Sequence, residues 1–142
     1  MKKVDQTRDM THPAGGNCVA ACLASLLDMD INDVPDFNMR DSQEDWRVFY
    51  GRWLNSVGYS LTCVYLGAED DHDTSEDSPG CLVRIGGGPV LLAGPGPRGV
   101  GHCVVGEAGL AQYTILHDPH PSRDGLNIIR RVYLVETLKV KP

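Results

Sequence analysis

Residues 15–29, GGNCVAACLASLLDM, decide the fold. Two glycines and Asn17 precede a cysteine, and from that cysteine runs a stretch of small and apolar side chains with no charge before Asp28. A helix that is apolar on nearly every side belongs in a core. Asn17 is a favoured N-cap residue, so the stretch predicts a buried helix over about Cys18 to Leu27. Cys18 then stands on the first turn, where unpaired backbone N–H groups carry partial positive charge and make a thiol acidic. Such a thiolate needs partners, and the rest of the chain is read for them.

The totals set the frame. A chain of 142 residues fits one domain, able to bury about two-thirds of its unfolded surface without staples. With 42% hydrophobic and 23% charged residues it has ordinary globular composition, and no apolar run approaches the roughly 20 residues of a membrane span. The start, MKKVDQTRDM, has no apolar segment after its lysines and does not read as a secretory signal. Five cysteines, an odd number, point to free thiols in a reducing cytoplasm. A net charge of −6 argues against a nucleic-acid partner, which calls for a basic stripe. The basic cluster of Arg130, Arg131, Lys139 and Lys141 reads as solvated surface.

Outward from the first helix, residues 1–14 form an irregular arm that ends near Pro13. After a short helical turn before Pro35, Ser42 with Asp45 resembles a capping box that opens a second helix, and Gly58 stops it. Along that helix Trp46, Phe49, Tyr50, Trp53, Leu54 and Val57 recur at helical spacing, the pattern of a face packed on a core. From Tyr59 the chain changes to short runs rich in β-branched residues: SLTCVYL, CLVRIG, PVLLAG, HCVVGE, YTILHD and RRVYLVE. These predict up to six strands. Between the first two, GAEDDHDTSEDSPG (about 67–80) is an aperiodic, self-repelling acidic stretch expected to be a mobile loop, with His72 solvated. Helices followed by strands give an α+β domain, an antiparallel sheet packed on the first helix.

A nucleophilic thiol requires a base, a group to orient that base, and donors for the oxyanion formed on the substrate. His102 opens HCVVGE directly after a glycine-rich loop, and Asp118 closes the next strand, YTILHD. If these two strands form a hairpin, the start of the first lies beside the end of the second, which brings His102 next to Asp118 or His117. Side chains alternate along a strand, so only one of those two can reach it.

In order and context, NCVAACLASLL, GHCVV and ILHDPHP resemble the papain-like cysteine peptidase superfamily, in particular the small transporter-linked peptidases that process bacteriocin leaders. The likeness spans roughly residues 12–121. It implies a papain-like fold with a central N-terminal helix, Cys18 as nucleophile, His102 as general acid/base and Asp118 as orienter. Such peptidases usually carry an oxyanion-binding glutamine six positions before the nucleophile, where this chain has His12. His12, or Gln6 reaching back from the arm, is the candidate side-chain donor, with the Cys18 N–H as the second.

Each residue also has a plainer explanation. Cys22, one turn after Cys18 among Ala and Leu, reads as a small core residue, as do Cys63, Cys81 and Cys103 in strand-like runs. His102 fits a hydrogen-bonded rim position, and Asp118 before Pro119 fits a turn-former. A zinc site drawing on His12, Cys18, Cys22, His102 and His117 matches none of the usual ligand spacings.

The expected activity is hydrolysis or acyl transfer at an amide or ester carbonyl through an acyl-enzyme, with no cofactor and no metal. Peptide, protein and small amide substrates present the same carbonyl. Arg98 and Gly101, in the loop GPGPRGVG before His102, are expected to line the cleft, with Arg98 pairing a substrate carboxylate. The alternative is a catalytically inactive papain-like binding or inhibitory module, a class associated with phage and mobile-element counter-defence proteins. Oligomeric state stays open.

Overall fold

The computed structural model describes residues 1–38, 41–66, 88–109 and 112–138. The expected acidic loop with His72, the strand-like run CLVRIG with Cys81, and Lys139 and Lys141 lie outside these residues. The architecture is α+β: two helices packed on a five-stranded antiparallel sheet.

The first helix, α1 (Cys18–Leu26), buries Ala20 through Ser25, as its unbroken apolar run requires. Ser25 is tolerated there because its hydroxyl donates to the Ala21 carbonyl and accepts from the Val4 N–H. The turn expected before Pro35 is a single 3-10 turn, Ile31–Asp33, opened by the Asp30 side chain accepting from the Asn32 N–H.

The second helix, α2, spans Trp46–Ser56 and starts later than the capping-box reading placed it. Its N-cap is Asp45, whose carboxylate accepts from the Arg47 N–H, while the Ser42 hydroxyl serves the preceding turn by accepting from the Glu44 N–H. Asp45 is also gripped by the Arg47 guanidinium, which holds its carboxyl down at about 2. Trp46, Phe49, Tyr50, Trp53 and Leu54 pack against the core as expected. Val57 does not: it is the C-cap and 40% exposed. Gly58 follows at φ 94, a conformation open to glycine at no steric cost.

The strands are β1 (Tyr59–Tyr65), β2 (Val90–Pro95), β3 (Gly101–Ala108), β4 (Tyr113–His117) and β5 (Arg131–Thr137). Their spatial order is β1-β5-β2-β3-β4, so β2, β3 and β4 form a meander and β5 inserts between β1 and β2. Alternation along the strands sorts side chains between two cores. Leu91, Ala93, Cys103, Val105 and Tyr133 face the helices, and Leu92, Val104, Val132 and Leu134 face the other way. On that second side Leu126 and Ile129, from the segment leading into β5, cover the sheet.

That cover passes directly over Gly94, which pairs with His102 in the β2–β3 register. A Cβ at Gly94 would lie 2.0 Å from the Ile128 carbonyl oxygen, so the backbone of one segment would have to move. Gly94→Ala is expected to lower the free energy of unfolding by about 1–3 kcal/mol, read as a reduced urea midpoint at unchanged slope. No helix among the described residues is long and apolar enough to cross a membrane.

Candidate active site

Three elements converge on one site. Helix α1 packs on β3, so the first turn of the helix, with Cys18, lies against the first residues of that strand, His102 and Cys103. Strand β4 returns antiparallel beside β3, with Val105 opposite His117 and a register shift between Val105 and Gly106. Gly106 is required at that irregularity, because a Cβ there would meet Leu92 Cδ1 at 2.4 Å and the Thr114 carbonyl at 2.7 Å.

Alternation then separates the two residues at the end of β4. His102 Nε2 donates to Asp118 Oδ1 at 2.6 Å, while His117 turns away to the arm, its Nε2 lying 3.0 Å from the Val4 carbonyl and 3.0 Å from Asp5 Oδ1. Asp118 is the partner of His102. Its carboxylate also accepts from the N–H groups of His120 (2.9 Å) and Gly125 (2.7 Å). Gly125 makes that contact from φ 75, in the left-handed region. Three donors thus fix the carboxylate's orientation. His102 is 5% exposed and Asp118 4%, so this is a buried pair, and Asp118 serves the turn after β4 as well, through its bond from the His120 N–H.

With Nε2 committed to Asp118, Nδ1 is the ring nitrogen left for the Cys18 thiol on the first turn of α1. The Cys18 pKa lies well below that of an ordinary thiol. The first cause is a hydrogen bond from the Cys103 thiol; burial opposes it, and the His102 hydrogen bond, the His102 charge and the Cys103 backbone N–H add to the lowering. Cys103 is correspondingly held protonated, by its bond to Cys18 and then by burial. For His102, burial works against the charged form, but the bonds to Cys18 and Asp118 outweigh it and the pKa stands above the usual histidine value. For Asp118, burial is likewise outweighed, by the His102 ring and the two backbone donors, and the carboxyl stays below its usual range. Cys22, raised by burial, is an inert core thiol. Both shifts favour the same charge pair, a thiolate on Cys18 and an imidazolium on His102.

Asn17 does not cap α1. Its side-chain oxygen accepts from the N–H groups of Thr7 and Arg8, and its amide donates to Thr7 Oγ1, which pins the N-terminal arm beside the helix. The first turn of α1 is left without a side-chain cap, its N–H groups beside the thiol.

A cavity of about 560 Å³ opens on Cys18, His102 and Cys103. Its lining includes the apolar or aromatic side chains of Met10, Phe37, Trp46 and Tyr50 together with Gly94–Gly96, Gly99–Gly101, Asn127, Arg130 and Arg131. Gly101 therefore lies where expected, but three other candidates do not line the cavity. Arg98 donates to Ser122 Oγ at 3.0 Å, tying the β2–β3 turn to the segment after β4. His12 is exposed and accepts at Nδ1 from the Ala14 N–H. Gln6 donates from Nε2 to the Arg8 carbonyl.

Other lining residues have places that the sequence pattern does not show. Strand alternation gives the face that Cys103 takes but not the helix residue opposite it, and the place of Arg130 and Arg131 beside the cavity, in contrast to the solvated surface expected of them, follows from β5 inserting next to β2. The aromatic stripe of α2 has two roles, since Trp46 and Tyr50 both pack on the core and line the cavity. Among the described residues, no three His, Cys, Asp or Glu side chains gather as a metal-ligand set. Comparison of the chain with protein-family models, curated proteins and solved structures found no match to any of them.

Proposed function

We propose that the protein is a papain-like cysteine hydrolase or acyl transferase acting on amide or ester carbonyls, with Cys18, His102 and Asp118 as its triad. The observation that carries this reading is the line from Cys18, at the cavity, through the buried His102 to the buried Asp118, with the thiol acidified at one end and the carboxylate held by three donors at the other. In the first step the Cys18 thiolate attacks the carbonyl carbon and the C=O electron pair moves to oxygen. The Cys18 N–H, on the uncapped first turn of α1, is the oxyanion donor we assign. The imidazolium of His102 then gives its proton to the leaving amine or alkoxide as the C–N or C–O bond breaks. Water or another nucleophile, deprotonated by His102, releases the acyl group from sulfur and restores the thiolate.

One observation favours the alternative, a catalytically inactive binding module on the same scaffold. The side-chain amides in the cavity lining each have one N–H directed elsewhere, Asn17 to Thr7 and Asn127 to the Gly96 carbonyl. A missing second donor costs about 10²–10³ in rate. The two readings part in intact-protein mass spectrometry after incubation with a panel of activated acyl esters. A hydrolase accumulates one acyl group, mapped to the peptide containing Cys18 and absent in Cys18→Ser, and it clears that group with time. A folded protein that gains no adduct on Cys18 from any ester is a binding module.

A further inference from the structure

The turn that follows β4 is tied down by a side chain outside the triad. Arg123 stands there at φ 57, a left-handed conformation that glycine adopts at no steric cost and other residues adopt rarely. Its guanidinium reaches back over its own turn, Nη1 donating to the carbonyls of Asp118 and, at 3.2 Å, of His120. The same group grips the N-terminal arm with two parallel bonds, Nη1 to Asp5 Oδ1 at 2.7 Å and Nη2 to Asp5 Oδ2 at 2.9 Å. Such a bidentate fork fixes orientation as well as charge. Asp5 is held from a second side by His117 Nε2, 3.0 Å from Oδ1.

The turn so held carries the donors of the orienting carboxylate. His120 and Gly125, on either side of Arg123 in the chain, are the residues whose N–H groups donate to Asp118. The arm in turn reaches the thiol end of the site. The Gln6 N–H donates to the Pro119 carbonyl at 3.0 Å, and the N–H groups of Thr7 and Arg8 donate to the side chain of Asn17, the residue before Cys18. Residues 5–8 of the arm therefore join the turn behind Asp118 to the start of α1.

We propose that Arg123 and Asp5 are positioning residues for the reaction at Cys18: their ion pair locks the turn after β4 in the conformation that aims the His120 and Gly125 N–H groups at Asp118, and the fixed carboxylate holds the His102 ring toward the thiol. The inference rests on Cys18 being the nucleophile. Neither residue lines the cavity, so each acts through Asp118. An ion pair half exposed on both sides adds little to folding, and its loss is expected to be felt in the site more than in stability.

The test follows alkylation of Cys18 by iodoacetamide against pH, mapped by peptide mass spectrometry, in wild type, Arg123→Gln and Asp5→Asn. The groups that titrate near the sulfur, Cys22 on α1, Tyr50 on α2, and His102 and Cys103 on β3, are kept in both variants. With Asp118 loosened, the imidazolium pairs less well with the thiolate. The rate at pH 6 is expected to fall about tenfold in Arg123→Gln, and less in Asp5→Asn, which keeps the two carbonyl bonds. The deficit is expected to vanish near pH 10, where an ordinary thiol is ionised too. Cys22, fully buried, reports unfolding if it is labelled. A folded Arg123→Gln with the wild-type profile overturns the positioning role and leaves the hydrolase reading standing, as does a deficit of equal size at every pH, the mark of altered access. If Arg123→Gln is unfolded, a wild-type profile in Asp5→Asn overturns it. A wild-type Cys18 no faster than glutathione at pH 6 overturns the hydrolase reading and this proposal with it.

Discussion

In a His102→Ala variant, turnover of any substrate accepted by the wild type is expected to fall by about 10²–10⁴, the usual contribution of a positioned general acid/base. The loss has a distinctive pH signature. On the proposed mechanism the acid limb of the wild-type rate profile is expected to follow Cys18, whose pKa is depressed, and the alkaline limb His102, whose pKa is elevated, with activity between them. Removing the imidazole deletes the alkaline limb. It also moves the acid limb upward, since His102 is one of the groups that stabilise the thiolate. The movement is partial, because the Cys103 thiol and N–H still donate to the sulfur. Iodoacetamide labelling of Cys18 as a function of pH reads that shift without any substrate. A profile identical in wild type and variant would show that the two side chains do not communicate, and the proposed mechanism would fall.

Replacing Asp118 by alanine is expected to cost stability as well as rate. The carboxylate is buried and accepts from His102, His120 and Gly125, so its removal strands three donors in a low-dielectric interior. Breaking one side of a buried charged pair costs about 3–5 kcal/mol. The dependence on pH separates this charge from simple packing. Because the folded-state pKa of Asp118 is lowered, its contribution is fully present above the unfolded carboxyl value of about 4 and is lost as pH falls through the folded value. The raised pKa of His102 acts in the opposite sense, contributing below the unfolded histidine value of about 6.5 and fading as pH rises past the folded one. The contribution of this pair to urea resistance should therefore be greatest between about pH 4 and 6.5. In Asp118→Ala the acid limb flattens and the histidine-linked limb shrinks with it. A loss of equal size at every pH would assign Asp118 a packing role only.

The substrate-facing side of the site is built differently from the catalytic side. The proposed triad is held by short local devices: a helix start, a strand start, a strand end and a glycine turn. The cavity walls come from segments distant along the chain, with Met10 from the arm, Phe37 from the loop before α2, Trp46 and Tyr50 from α2, and Arg131 from β5. A substitution in α2 that leaves its core packing intact therefore changes which substrates fit more than how the thiol reacts.

What the sequence determined by itself was whatever is local or periodic. The apolar run from Cys18 fixes α1, alternation of β-branched residues fixes the strands, and hairpin geometry brings His102 to the end of YTILHD, with the choice between His117 and Asp118 left to the structure. Tertiary structure decided everything that depends on which distant backbone passes nearby. Asn17 has the chemistry of a helix cap, but the arm supplies two N–H donors that capture its oxygen first. Ser42 was a plausible cap until Asp45 took the position with a bond to the Arg47 N–H. Cys103 became the thiol that acidifies Cys18, and Arg130 and Arg131 became cavity residues, through the packing of α1 on β3 and the insertion of β5 beside β2. The physical reason is one of range: periodicity and turn chemistry act over a few residues and leave their mark on the sequence, whereas hydrogen bonds and fields across the core depend on distances that only the closed fold sets.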